Sequence, residues 1–171
     1  MIKKLKINES VNLMSDASYD KIAILGYACT LATNDLHHIH LCAVGNDFQE
    51  IHESADSYLA IMRELNDFCL EVAREGGIET ESETYALDIL KDAGYDWQVS
   101  NGSSYNFTEA FEEMQLILSD ICECISNVRD TDDVTYDVAS VLDKYLRDLT
   151  QAVNYFIEMK LTTDDILTDE K

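Results

Sequence analysis

His40, His52, Asp56, Asp67 and Glu71 are the residues of this chain whose types and spacing could do chemistry. The chain has four histidines, all between positions 37 and 52, and the stretch HLCAVGNDFQEIH at 40–52 begins and ends on one. His52 and Asp56 stand four apart, as do Asp67 and Glu71, so on a helix each pair turns its side chains to one place. From Asp56 to Asp67 is 11 residues, about 1100° of helical rotation, which returns to within about 20° of the starting direction. All four groups therefore share one stripe. The stripe cannot close on a single metal ion, because at about 1.5 Å rise the pairs lie roughly 16 Å apart, against metal–ligand distances of about 2 Å. An antiparallel copy of the same helix, related by a two-fold axis near the middle of the stripe, brings the ends together. It sets His52 and Asp56 of one chain against Asp67 and Glu71 of the other and makes two equivalent sites. His40, at the end of the preceding helix, joins as a fifth ligand. Two imidazoles with three carboxylates suit ferrous iron, and zinc or manganese less selectively. The within-chain di-iron signature of helical bundles needs Glu-x-x-His on two helices, and the sequence contains no Glu-x-x-His, which argues against a single-subunit di-iron oxygenase.

Four long helices must carry these residues. From about Asn8 to His40 the apolar positions, Val11, Met14, Ile22, Leu25, Leu36 and Ile39 among them, recur at threes and fours, the pattern of one long amphipathic helix. Residues 41–46 form a short connection. Asp47 reads as an N-cap with Glu50 three residues on, as in a capping box, and opens a second long helix that ends at Gly76-Gly77. The chain from Gly77 to Asn106 is polar, with one short helix over residues 85–90 inside a long connection. Asn106 with Glu109 opens a third helix to about Val128, and the acidic turn Asp130 to Asp133 caps a fourth that reaches about Met159. The expected fold is all-α, a ferritin-like four-helix bundle with a short extra helix in the long connection between helices two and three. Residues 1–9 form an N-terminal arm, 10–160 the bundle, and 161–171 an acidic flexible tail.

Composition narrows the partners. A chain of 171 residues, 46% hydrophobic, is sized for one folded domain. Twelve Lys and Arg against 34 Asp and Glu give a net charge of −22, which disfavours nucleic acid and anionic membranes and attracts cations. Lys3, Lys4 and Lys6 in the opening MIKKLK make a small basic arm. No uncharged run approaches the roughly 18 residues of a membrane helix, and none has signal-peptide length behind the N-terminus, so the expected location is cytoplasmic, away from membranes. Five cysteines (Cys29, Cys42, Cys69, Cys122 and Cys124) are an odd number without scaffold-like spacing and read as reduced, mostly buried thiols.

His40, His52, Asp56, Asp67 and Glu71 resemble, at every spacing, the ligand signature of the DNA-protection-during-starvation family, the Dps-type mini-ferritins. Gly45, Phe48 and Ile51 occupy the glycine, aromatic and aliphatic positions of the family's H-W-x-V-x-G-x-x-F-x-x-L-H stretch, and Val44 lies beside the glycine. Asp132-Asp133-Val134-Thr135-Tyr136-Asp137 is similar to its D-D-V-T-x-D. The resemblance covers about residues 10–160. It implies a homo-oligomeric shell of twelve chains with a ferroxidase site at each two-fold interface, which oxidises Fe(II) with hydrogen peroxide preferred to dioxygen. The Fe(III) mineral is then stored inside. It also implies that Asp133 and Asp137, with Asp130 beside them, line three-fold pores for iron entry, and that Glu53 lies on the inner surface near mineral nucleation. Leu41 stands where the family has tryptophan, and Asn46 where it has proline. That tryptophan packs beside the oxidation site, so its replacement bears on oxidation rate and damage control and leaves the ligands intact. Two other readings are a DNA-binding nucleoid protein acting through the lysine arm, which the net charge opposes, and a catalytically silent acidic structural or metal-binding bundle. His37 is expected near the metal end but outside the ligand set, His38 exposed, and Tyr27 and Tyr145 in the core.

Overall fold

Residues Leu25 to Ala32 are buried without a break, and this run explains how the other helices are arranged. It lies in α1 (Asp16–Cys42), and a helix buried all round must be enclosed by its neighbours. The computed structural model, which describes residues 3–4 and 14–162, shows how. α2 (Phe48–Glu75) and α4 (Phe107–Arg129) pack on α1 from within the bundle, and α3 (Ala86–Asp92), in the long crossover between them, covers another side. The amphipathic pattern read from sequence therefore understates the burial of α1, because the crossover occupies the side that a bundle helix leaves to solvent. α1 starts at the Ser15 N-cap, whose hydroxyl accepts from Ser18 N. The expected start near Asn8 lies outside the described residues.

α1 runs past His40 to Cys42, so the connection to α2 is shorter than the sequence indicates. Tyr105 N donates to Cys42 O and Val44 N to Tyr105 O, each at 2.9 Å, pinning the corner to the segment before α4. Gly45, at φ 100°, takes the left-handed conformation that reverses the chain there. Asp47 is the N-cap of α2, but its side chain makes no capping bond. Glu50 pairs instead with Lys160 from the far end of the chain, so the expected capping box is replaced by a tertiary contact. α2 ends as expected at Gly76, with Gly77 at φ 82° donating its N–H to Arg74 O.

The crossover carries β2 (Ile78–Glu79), whose backbone pairs antiparallel with β1 (Lys3–Lys4). This two-residue ribbon is a small addition to the all-α expectation. It also pairs the backbone of two of the arm's three lysines with the crossover; Lys6 lies outside the described residues. Later in the crossover, Trp97 Nε1 donates to Asp35 Oδ2 at 2.9 Å and Ser100 N to Asp35 Oδ1 at 3.1 Å. Asp35 is buried, and burial raises its carboxyl above the usual range while these bonds pull it back. α4 opens with the expected capping box: Glu109 N donates to Asn106 Oδ1 and Asn106 N to Glu109 Oε2, both at 3.0 Å.

α5 (Tyr136–Gln151) follows a short turn and continues through a π-helical segment, Ala152–Ile157. Gln115 of α4 donates to Val153 O at 3.3 Å and to Glu158 Oε2 at 3.2 Å, tying that segment to the bundle. The N-cap of α5 is Thr135, without a side-chain bond, and not the acidic turn before it. Helix order, two short connections and one long middle connection give the ferritin-like bundle expected from sequence. Cys29, Cys69 and Cys124 are buried free thiols, and burial pushes Cys124 up to about 12. Tyr27 is buried and Tyr145 packs half-buried against the core. Among the described residues no helix is long and apolar enough to cross a membrane. Residues 163–171 of the expected tail lie outside the described residues, while 161 and 162 still belong to the last helix.

Candidate metal centre

The last turn of α1 and the first turns of α2 meet at the Gly45 corner, which brings His40, His52 and Asp56 together. The His40 and His52 rings lie 3.8 Å apart between centroids, tilted by 51°, and Phe48 packs on His52 at 4.0 Å. Asp56 Oδ1 stands 3.0 Å from His40 Nδ1. That separation lacks the angular geometry of a hydrogen bond, so Nδ1 is a buried ring nitrogen with no hydrogen-bond partner. A buried polar atom without a partner costs about 1–3 kcal/mol. A metal ion between imidazole and carboxylate would satisfy it, so the donor set fits a divalent cation.

Asp67 and Glu71 lie further along the same face of α2, both exposed. Asp67 edges a depression of about 290 Å³ lined also by Thr30, Thr33, Asn34, Arg63 and Asn66. Asn66 fixes this stretch of α2 on α1, donating to Gly26 O at 2.7 Å and Thr30 Oγ1 at 2.8 Å. The chain therefore brings three of the five candidate ligands together and leaves two apart. Among the described residues no three His, Cys, Asp or Glu side chains of one chain form a group that could hold a metal ion. Arg63 was not singled out from sequence, although it stands seven residues after Asp56, about 20° off the same stripe.

Glu53 is exposed, and its carboxylate accepts from Gln49 Nε2 at 2.8 Å. Of the acidic residues before α5, Asp130 lies 3.5 Å from Arg129 Nη1. Asp133 turns back to α1, accepting from Ser15 N at 2.5 Å and from the Ser18 hydroxyl, and these bonds hold its carboxyl below the usual range. Asp137, in the first turn of α5, is exposed. His37 is exposed, 6.0 Å from His40 between ring centroids. His38 is not: its Nε2 lies 2.8 Å from Gly102 O and its ring sits edge-on to Tyr105, because the crossover covers it.

No protein-family model and no curated protein matches the sequence. Solved structures do. A crystal structure of CAIP from Helicobacter cinaedi superposes with a TM-score of 0.73 at 14% identity, covering 84% of this chain and 99% of that one. Dps from Mycobacterium smegmatis superposes with a TM-score of 0.67 at 19% identity, covering 89% and 92% respectively. With nearly all of both solved chains matched, this chain has the ferritin-like four-helix fold of these two structures.

Proposed function

We propose that the chain is an iron-storage and detoxification protein that oxidises Fe(II) at sites shared between two copies. Iron is its substrate and cargo. The observation that carries this reading is the orphaned His40 Nδ1, held 3.0 Å from Asp56 and beside the His52 ring. It supports reading this corner as half of a metal site. Asp67 and Glu71, exposed on the same helix face but roughly 16 Å further along it, supply the other half from a second chain. Carboxylates stabilise Fe(III) over Fe(II) and so favour oxidation at such a site, while the imidazoles bind the ferrous ion that enters. The net charge of −22 concentrates cations around the protein.

The similarity of fold to a Dps supports the finer parts of the reading: a twelve-chain shell, peroxide as preferred oxidant, an Fe(III) mineral inside, and iron entry past Asp133 and Asp137. Zinc or manganese would occupy the same ligands without turnover of this kind. Size-exclusion with light scattering and peroxide-driven Fe(II) oxidation test it together. The expected result is a shell of twelve chains whose oxidation rate falls at least about tenfold in Asp67→Ala. A chain that stays monomeric, or an Asp67→Ala variant as fast as the parent, overturns it.

A further inference from the structure

We propose that Asn101 is a modification site, where attack by the Gly102 backbone nitrogen converts the side-chain amide to aspartate and isoaspartate, and that the isoaspartate form loosens the crossover from the Gly45 corner. The inference needs no metal and stands apart from the iron reading. Asn101 is the one asparagine of the chain that is followed by glycine. It is exposed and lies in a stretch without regular secondary structure, whereas Asn34, Asn66 and Asn127 are held in helices.

The chemistry needs water alone. The Gly102 nitrogen bonds to the Asn101 side-chain carbonyl carbon and closes a five-membered ring as ammonia leaves. Water then opens the ring at either of its two carbonyls. One opening gives aspartate. The other gives isoaspartate, in which the main chain runs through the former side chain. The sum is asparagine plus water to aspartate or isoaspartate plus ammonia. A side chain on the attacking residue crowds that ring, and glycine has none.

The fold keeps this pair as it is. A Cβ at residue 102 would stand 2.7 Å from Tyr105 Cζ, so the packing admits glycine and resists anything larger. Both backbone groups of Gly102 are engaged: its N donates to Tyr105 Oη at 3.0 Å, and its O lies 2.8 Å from His38 Nε2. The first of these bonds is a guard, because the nitrogen attacks only after it turns from Tyr105 and gives up its proton. An isoaspartyl link lengthens the main chain by one carbon–carbon bond, about 1.5 Å. Hydrogen bonds of 2.8 and 3.0 Å do not survive a shift of that size. Damage at an exposed loop thereby reaches His38, two residues before His40, and Tyr105, which is bridged to Ala43 at the corner.

Incubation of the full-length protein at mildly alkaline pH, followed by peptide mass spectrometry that separates aspartate from isoaspartate, tests this. The mass gain of exchanging NH2 for OH is expected at residue 101 ahead of every other asparagine. Asn101→Gln, whose longer side chain closes a ring far less readily, should stay unmodified there. Tyr105→Phe, which keeps the ring and removes the acceptor, should modify about 2–10-fold faster than the parent. Hydrogen exchange reads the consequence: the Val44 and Tyr105 amides should lose protection in the aged parent and keep it in Asn101→Gln aged alongside. An Asn101 that modifies no faster than the helical asparagines, or a Tyr105→Phe variant no faster than the parent, overturns the proposal. Isoaspartate that forms while both amides stay protected overturns it as well.

Discussion

A mixing experiment with two damaged chains tests the division of the site between subunits. His52→Ala removes a ligand at one end of the α2 stripe and Asp67→Ala removes one at the other. The two positions are 15 residues apart, about 22 Å along the helix, far beyond the reach of any side chain toward a common ion. Each variant assembled alone has every site damaged. Co-expressed in equal amounts, the variants pair at random and half of the dimers are mixed. In a mixed dimer one site receives both damaged residues and the other receives neither. About a quarter of all sites are then intact. Fe(II) oxidation by peroxide, followed as the growth of Fe(III) absorbance, should therefore return to about a quarter of the parental rate. Co-expression of two His52→Ala chains is the control and should stay at background. A mixture that assembles normally yet remains at the background of its parents would show that each chain builds its own site, and the reasoning from helical rise would be wrong.

Four further outcomes follow from the fold. Asn106→Ala removes one side of the α4 capping box and should cost about 1 kcal/mol, a drop of about 2–4 °C in Tm measurable by circular dichroism. Gly76→Ala would place a methyl 2.2 Å from Tyr19 Cγ, so it should destabilise by about 1–3 kcal/mol, a penalty that shrinks in a Tyr19→Ala background, which removes that atom. Trp97→Phe leaves the buried Asp35 carboxylate without its 2.9 Å donor and should cost about 1–3 kcal/mol in denaturant unfolding, less when combined with Asp35→Asn. Asp133 has a carboxyl held below its ordinary value by Ser15 and Ser18, so its contribution is present above about pH 4 and lost as pH falls through the lowered value. Asp133→Asn should accordingly lower Tm at neutral pH and match the parent in strong acid; a gap that persists there refutes the assignment of that pair.

Local signals in the sequence were followed closely by the structure, and distant ones were not. Asn106 with Glu109 forms its box because both partners lie within one turn and nothing else competes for them. Asp47 with Glu50 has the same spacing, yet Lys160, 110 residues away, takes the Glu50 carboxylate. Asp133 has the look of a helix cap but serves the start of α1, 115 residues before it in the chain. Trp97 carries no periodic signal at all, so its bond to Asp35, which fastens the crossover onto α1, is a product of tertiary packing alone. The meeting of His40, His52 and Asp56 was more legible because helix geometry fixes angle and rise together. The stripe and its length follow from those two quantities, and the proposal of a second chain rests on them.

The π-helical segment Ala152–Ile157 has a long-range consequence. Such a segment holds about one residue more than the α-helical turn it replaces, and that residue advances everything beyond it by about 100° around the axis. Lys160 lies three residues past its end and meets Glu50 there. Glu50 is two residues before His52. Deleting a single residue between 152 and 157 would restore the regular helical phase and swing Lys160 off the first turn of α2. In this protein the angular phase of the last helix acts as a key for the corner that holds the histidines, and a frame-preserving deletion far from any ligand would turn that key out of its lock.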